Sequence, residues 1–208
     1  MAKLYFKYGA MSCGKTRDLI KTMYNYHEKG MHVLIIKPRK DTKGEDTIVP
    51  RGADPVKVDY LIRENDDIYK MIEYYVSYHP LHCILVDEVQ FLKEKHIKEL
   101  ADIVDLLNIP VICYGLRVDF RGHLFPGSKA LFETADSFEE LKAVCKCGNK
   151  ATRNVRFVNG IPTFKGGQIA IDGENDVTYE SMCRKCEREL RREHSDEWVK
   201  GIFKNLMW

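Results

Sequence analysis

The 208-residue sequence has no apolar stretch long enough to cross a bilayer. Its first residues enter a strand-like segment, not the charged-then-apolar leader that export requires. Long blocks of one charge are missing too. Lys and Arg number 33 against 31 Asp and Glu, a formal net charge of +2, so electrostatics advertise neither a nucleic acid nor an anionic membrane as partner. There are no internal repeats and no low-complexity tract. The seven histidines show no ligand grouping, and His82 and His96 read as surface or packing residues. These absences leave a cytosolic globular protein as the expectation. A hydrophobic content of 44% is ample for a packed core, and the length suits one domain with or without a small appendage.

What is present begins at the N-terminus. Gly9-Ala10-Met11-Ser12-Cys13-Gly14-Lys15-Thr16 is a complete G-x-x-x-x-G-K-T phosphate loop. Lys3 to Tyr8 before it is rich in strand formers. Thr16 to Lys29 after it lacks Gly and Pro and spaces Leu19, Ile20 and Met23 as a helix does. Strand, loop and helix are the context in which the motif binds a nucleoside triphosphate. Backbone N–H groups form an anion nest at the positive end of the helix, Lys15 adds a charge, and Thr16 offers a hydroxyl to Mg²⁺.

Residues 3 to about 140 alternate short apolar runs with amphipathic stretches. His32 to Lys37, His82 to Asp87 and Pro110 to Gly115 read as buried strands. Asp66 to Tyr78, with Ile68, Ile72 and Val76 four apart, reads as a helix, and so does Lys93 to Leu107. That alternation implies an α/β fold with a mostly parallel sheet covered on both faces. Residues 38–59 open polar and without a period, as a loop beside a phosphate site does. After Leu141 the character changes, which sets expected boundaries at 1–141 for the nucleotide domain, 142–189 for a small β subdomain and 190–208 for a helical tail.

Four of the seven cysteines form two close pairs, Cys145/Cys147 and Cys183/Cys186. In a reducing compartment such pairs read as metal ligands. Cys183-x-x-Cys186 has zinc-knuckle spacing and Cys145-x-Cys147 is one residue tighter, followed by Gly148 to relieve the turn. Four thiolates make a closed tetrahedral site, so the Zn²⁺ would be structural. The other chemical signal is Ile84-Leu85-Val86-Asp87-Glu88, an apolar strand ending in acid. Asp87 is the candidate Mg²⁺ ligand and Glu88 the candidate general base. Asp-Glu alone does not separate a kinase, which deprotonates a hydroxyl, from an ATPase, which activates water.

With these blocks laid out, the chain resembles the type II thymidine kinases, in their enterobacterial and phage branch. The resemblance runs to about Glu189. It rests on the phosphate loop, Asp87 to Phe91, Gly115 to Gly122, Cys145-Lys146-Cys147-Gly148, and Tyr179 followed by Cys183-Arg184-Lys185-Cys186. It implies a RecA-like domain with a zinc-held lasso, and an ATP:thymidine 5′-phosphotransferase with MgATP as donor. Glu88 would take the proton of the 5′-hydroxyl, and Lys15 with Mg²⁺ would stabilise the transferring phosphoryl group. The thymine pocket would comprise Met11, Phe91, Leu116, Phe120, Phe125 and Tyr179. The resemblance further implies a homotetramer and feedback inhibition by thymidine triphosphate. Two departures stand out. The family's Asp-x-Arg after the second strand is here Asp41-Thr42-Lys43, in which lysine keeps the charge and loses the planar fork. The lasso from Ile171 to Tyr179 is longer than usual, with Asp172 in place of one of two adjacent glycines. The competing reading is a RecA-like ATPase whose zinc ribbon grips nucleic acid; the near-neutral charge and the lack of a basic stripe with interleaved aromatics oppose it.

Overall fold

A computed structural model describes residues 1–39, 46–49, 54–168 and 176–205, the last eleven of these by backbone alone. The chain divides into two units. The first takes Met1–Gly9, Gly14–Arg117 and Leu124–Leu141, and the second takes Ala10–Cys13, Val118–His123 and everything from Lys142 onward. Thus the middle of the phosphate loop and the segment after Arg117 both belong to the second unit, although both lie inside the expected 1–141 domain.

In the first unit the elements are β1 (Leu4–Gly9), α1 (Lys15–His27), β2 (Val33–Pro38), β3 (Thr47–Ile48), β4 (Val56–Lys57), β5 (Tyr60–Ile62) and α2 (Ile68–Val76). They continue with β6 (Cys83–Val86), a 3₁₀ turn (Val89–Phe91), α3 (Glu94–Leu107), β7 (Val111–Leu116), α4 (Pro126–Thr134) and β8 (Ser137–Leu141). Six strands make one sheet in the order β5-β2-β6-β7-β1-β8, parallel throughout. Burial on both faces explains why β2, β6 and β7 are continuous apolar runs. In β6, Ile84 and Val86 pack into a core with Ile68 and Ile72 of α2, Ile97 and Leu100 of α3 and Leu131 of α4. Cys83 and Leu85 face the other way, into a core with Leu19 and Met23 of α1 and with Tyr114.

Helix positions follow from spacing and caps. The buried residues Lys15, Leu19 and Met23 of α1 are four apart and share one face. Asp67 caps α2 by accepting from the Lys70 N–H at 3.0 Å. Pro126 opens α4 in its first turn, where its missing N–H costs nothing. A polar network also ties α1 to the sheet. Asp18 accepts from Lys7 Nζ at 2.7 Å and from the Tyr114 hydroxyl at 3.1 Å, and Tyr114 meets the Thr22 hydroxyl at 3.1 Å. Burial disfavours the Lys7 ammonium, but Asp18 and Glu139 outweigh it and raise its pKa above the usual lysine value.

The second unit holds a hairpin of β9 (Ala143–Val144) and β10 (Lys150–Ala151), an antiparallel sheet ordered β12-β11-β13, and α5. Its sheet strands are β11 (Arg153–Val158), β12 (Ile161–Thr163) and β13 (Val177–Met182). Helix α5 runs from Arg184 to Asn205, so the helix starts immediately after Cys183, six residues before the expected tail. The core of this unit is small: Ala10, Ala143, Ala151, Val155 and Met182 pack around Cys145 and Cys183. Among the described residues no helix is long and apolar enough to cross a membrane. The two-sided burial of β6 has a measurable consequence. Leu85→Ala should cost about 2–5 kcal/mol in chemical unfolding, whereas Leu106→Ala, on the exposed side of α3, should stay within about 0.5 kcal/mol of the parent.

Candidate functional site

Strand β1 delivers the phosphate loop at the sheet's edge. Ser12 has φ 60° and Gly14 φ 87°, both in the left-handed region. At Gly14, which caps α1, only glycine adopts this backbone without strain. The helix then opens at Lys15, whose side chain is largely buried at 8% exposure. A largely buried cation and the first N–H groups of a 13-residue helix meet there, as an anion site requires.

The acidic end of β6 belongs to the same sheet edge. Leu4, Val111 and Ile84 form one row across β1, β7 and β6, and Phe6, Cys113 and Val86 form another two residues further on. Asp87 and Glu88 therefore leave β6 on the edge from which Gly9 leaves β1. Asp87 is 4% exposed, and its N–H donates to the Ile36 carbonyl at 3.0 Å. Its Oδ1 is buried and has no hydrogen-bond partner among the described residues. Burial first, and the neighbouring Glu88 charge second, push the Asp87 carboxyl well above its usual value, against the Glu88 N–H bond and the pull of Lys37 and Lys15. A buried carboxylate oxygen without a donor suits a hydrated cation.

Glu88 sits at φ 51°, a conformation that costs energy in a residue with a Cβ and that persists only where the surroundings enforce it. Gln90 supplies the enforcement. Its side chain is fully buried, Nε2 donates to Glu88 Oε2, and Oε1 accepts from the Leu116 N–H at 3.0 Å. This amide fits only because residue 115 is glycine: a Cβ there would stand 2.7 Å from Gln90 Oε1 and 2.8 Å from Val89 Cγ1. The Leu116 carbonyl is held in turn by Ser128 Oγ at 2.5 Å. Phe91 and Phe125 meet edge-to-face, with centroids 5.4 Å apart at 80°. The first unit thus contains Lys15, Thr16, Asp87, Glu88, Phe91, Leu116 and Phe125.

In the second unit, the Sγ atoms of Cys145, Cys147, Cys183 and Cys186 all lie within 4.8 Å of one another, with Cys147 and Cys183 at 3.6 Å. Four thiolates on a tetrahedral Zn²⁺ stand about 3.8 Å apart, given Zn–S bonds of about 2.3 Å. The backbone is already folded for it. Gly148 N–H donates to the Cys145 carbonyl at 2.9 Å, and Cys186 N–H points at Cys183 Sγ from 3.5 Å. Asn149 Nδ2 donates to Cys147 Sγ at 3.3 Å. The cluster can hold a zinc ion in a closed site.

The same unit contains Met11, Phe120 and Tyr179. The Phe120 ring is buried beneath the Arg156 guanidinium, 3.9 Å from its centroid. Arg156 also donates to the Lys165 and Gly167 carbonyls at 2.7 and 3.2 Å. Arg121 grips the buried Asp119 carboxylate from Nε and Nη2 at 2.9 and 2.8 Å. Burial raises the Asp119 pKa, but the His123 N–H and the Arg121 bonds outweigh it and hold the carboxyl below its usual value. Tyr179 is half-buried and pairs with Arg156 across β13 and β11. Asp41, Lys43 and the unusual lasso residues around Asp172 lie outside the described residues.

A family model described as "Thymidine kinase" matches residues 2–187. The chain belongs to the thymidine kinase family. It is 40% identical over 207 residues to the thymidine kinase of Mesorhizobium japonicum, covering 99% of this chain and all of that relative. The thymidine kinase of Enterobacteria phage T4 is 42% identical over 193 residues, which are 92% of this chain and 98% of the phage protein. That of Francisella tularensis subsp. holarctica is 39% identical over 207 residues, 98% and 100% of the two chains.

Three residues of this thymidine kinase family chain carry geometry that motif reading passed over. Gln90, Asn154 and Ser181 are common polar residues with no signature of their own, and only their long-range bonds single them out. For Gln90 the outcome is direct. Gln90→Leu leaves the half-buried Leu116 N–H unsatisfied and releases the Glu88 carboxylate. It should cost about 1–3 kcal/mol of stability, measured by chemical unfolding, and lower kcat at saturating substrates.

Proposed function

We propose that the protein transfers the γ-phosphoryl group of MgATP to the 5′-hydroxyl of thymidine, and of deoxyuridine, in cytosolic pyrimidine deoxynucleotide salvage. The observation that carries this reading is the Asp87–Glu88 pair. A buried carboxylate, whose Oδ1 has no donor among the described residues, stands beside a second carboxylate oriented by Gln90, on the sheet edge that also bears the phosphate loop. Family membership supports thymidine as the acceptor.

Lys15 and the loop N–H groups receive the phosphates. Thr16 and Asp87 would hold the Mg²⁺ that accompanies ATP, directly or through water, and the bound ion neutralises charge on the β- and γ-phosphates. Gln90 occupies Oε2 of Glu88, which leaves Oε1 for the nucleoside. Glu88 accepts the proton of the 5′-hydroxyl, the freed oxygen bonds to the γ-phosphorus, and the bond to the β,γ-bridging oxygen breaks to release ADP. The family resemblance assigns the thymine to Met11, Phe91, Leu116, Phe120, Phe125 and Tyr179, side chains of the apolar and aromatic kind a flat base needs. Cys145, Cys147, Cys183 and Cys186 would hold a structural zinc. By the same family resemblance, the assembly is a homotetramer and thymidine triphosphate inhibits by entering the thymidine pocket.

The test is a direct assay with labelled MgATP and thymidine. Thymidine monophosphate should form, and Glu88→Gln should lower kcat by about 10²-fold or more while MgATP still binds. Phosphate release stimulated by single-stranded DNA, with no nucleotide product, overturns the kinase reading. Chelation, or Cys183→Ser, should lower both the unfolding midpoint and turnover, because structural zinc contributes folding free energy. Full activity in protein verified to be zinc-free contradicts that role.

A further inference from the structure

The Met11 peptide groups are held from both sides by two residues of the second unit. Asn154 Oδ1 accepts from the Met11 N–H at 2.8 Å, and Ser181 Oγ donates to the Met11 carbonyl. Asn154 and Ser181 are direct cross-strand partners on β11 and β13. Their side chains therefore rise together from one face of the sheet, with Cβ atoms about 5 Å apart. Asn154 is 4% exposed, and its Nδ2 donates to the Val118 carbonyl at 3.2 Å, so the amide that reaches Met11 is itself fixed in orientation. Two residues beyond Ser181 the same strand leads into Cys183, and Met182 and Val155 pack in the core around Cys145 and Cys183.

We propose that Asn154 and Ser181 form a two-point clamp that positions the phosphate loop for the nucleotide. The bond to the Met11 N–H fixes the Ala10–Met11 peptide plane, and the bond to the Met11 carbonyl fixes the Met11–Ser12 plane. Peptide planes are rigid and trans, so holding the Met11 carbonyl on one side sets the Ser12 N–H on the opposite side. Ser12 follows at φ 60°, a strained backbone for a residue with a side chain, and such a turn persists only when its neighbours over-determine it. The clamp is that over-determination. The Met11 N–H is spent on Asn154, so the loop's phosphate donors begin at Ser12. Nucleotide affinity then depends on a sheet whose strand β13 leads directly into Cys183, so the four-cysteine cluster and the clamp on Met11 share one element. This rests on the reading of Gly9 to Thr16 as a triphosphate site.

The test is calorimetric titration of the zinc-loaded full chain with MgATP and no nucleoside. Ser181→Ala and, separately, Asn154→Ala should each weaken MgATP by about threefold to tenfold, the scale of one lost hydrogen bond, with zinc content unchanged. Ser181→Thr restores the hydroxyl and should return affinity to within about twofold of the parent. Val155→Ala serves as the control. It loosens the same core and removes neither hydrogen bond to Met11, so it should lower the unfolding midpoint and leave MgATP affinity near the parent's. Parent-like affinity in both alanine variants overturns the clamp, as does equal weakening by Val155→Ala. If the parent itself fails to bind MgATP, the triphosphate reading falls instead.

Discussion

Everything chemical in the first unit depends on the parallel pairing of three strands, β6, β7 and β1, in a single register. Parallel strands end on the same edge, so a loop after β1 and an acid after β6 share that edge without any sequence proximity. The pairing survives because both faces of the strands are buried. Sliding one strand by a residue would exchange the side chains that face α1 with those that face α2, α3 and α4, and the two cores differ in size and shape. The register is therefore held by packing, and the placement of Asp87 and Glu88 follows from it.

Upon that frame the site is built from backbone in unfavourable conformations, stabilised by buried amides. Glu88 and Ser12 both adopt left-handed φ, and each stands next to a group gripped by a buried carboxamide: Gln90 beside Glu88, Asn154 on Met11. A carboxamide has a donor and an acceptor on one rigid plane. It can satisfy two backbone or side-chain groups at once, and in both cases it does so. A hydrophobic residue of the same volume would strand those groups without partners. The second unit, with a small core, combines the Asn154 bonds with arginine–ring stacking at Phe120 and Phe164 and with the four-cysteine cluster.

Much of the fold was legible where burial leaves a period. The strands β2, β6 and β7 are unbroken apolar runs because both faces are covered, and α2 and α3 show their buried faces at helical spacing. Strand β8 was not legible: Ser137 to Leu141 is an edge strand with two glutamates and a half-exposed face, so nothing in its pattern separates it from loop. Helix α4 opens with Pro-Gly, which reads as a turn until the chain before it is placed. Helix α5 begins at Arg184, directly after Cys183 of the four-cysteine cluster, and its nearly continuous charge leaves no apolar period in the sequence to mark that start.

The phosphate loop, the Asp87-Glu88 pair and the paired cysteines were determined by the sequence alone, since each is a local arrangement whose chemistry needs particular residues at fixed short spacing. The same blocks sufficed to place the chain in its family. Tertiary structure decided the rest. The middle of the loop, Ala10 to Cys13, belongs with residues more than 100 positions away, and the bonds from Asn154 and Ser181 to Met11 span 143 and 170 positions. An asparagine in a strand is as compatible with a solvated edge as with a buried clamp. Only the long-range pairing of β11 with β13, and the backbone groups that this pairing faces, distinguishes the two.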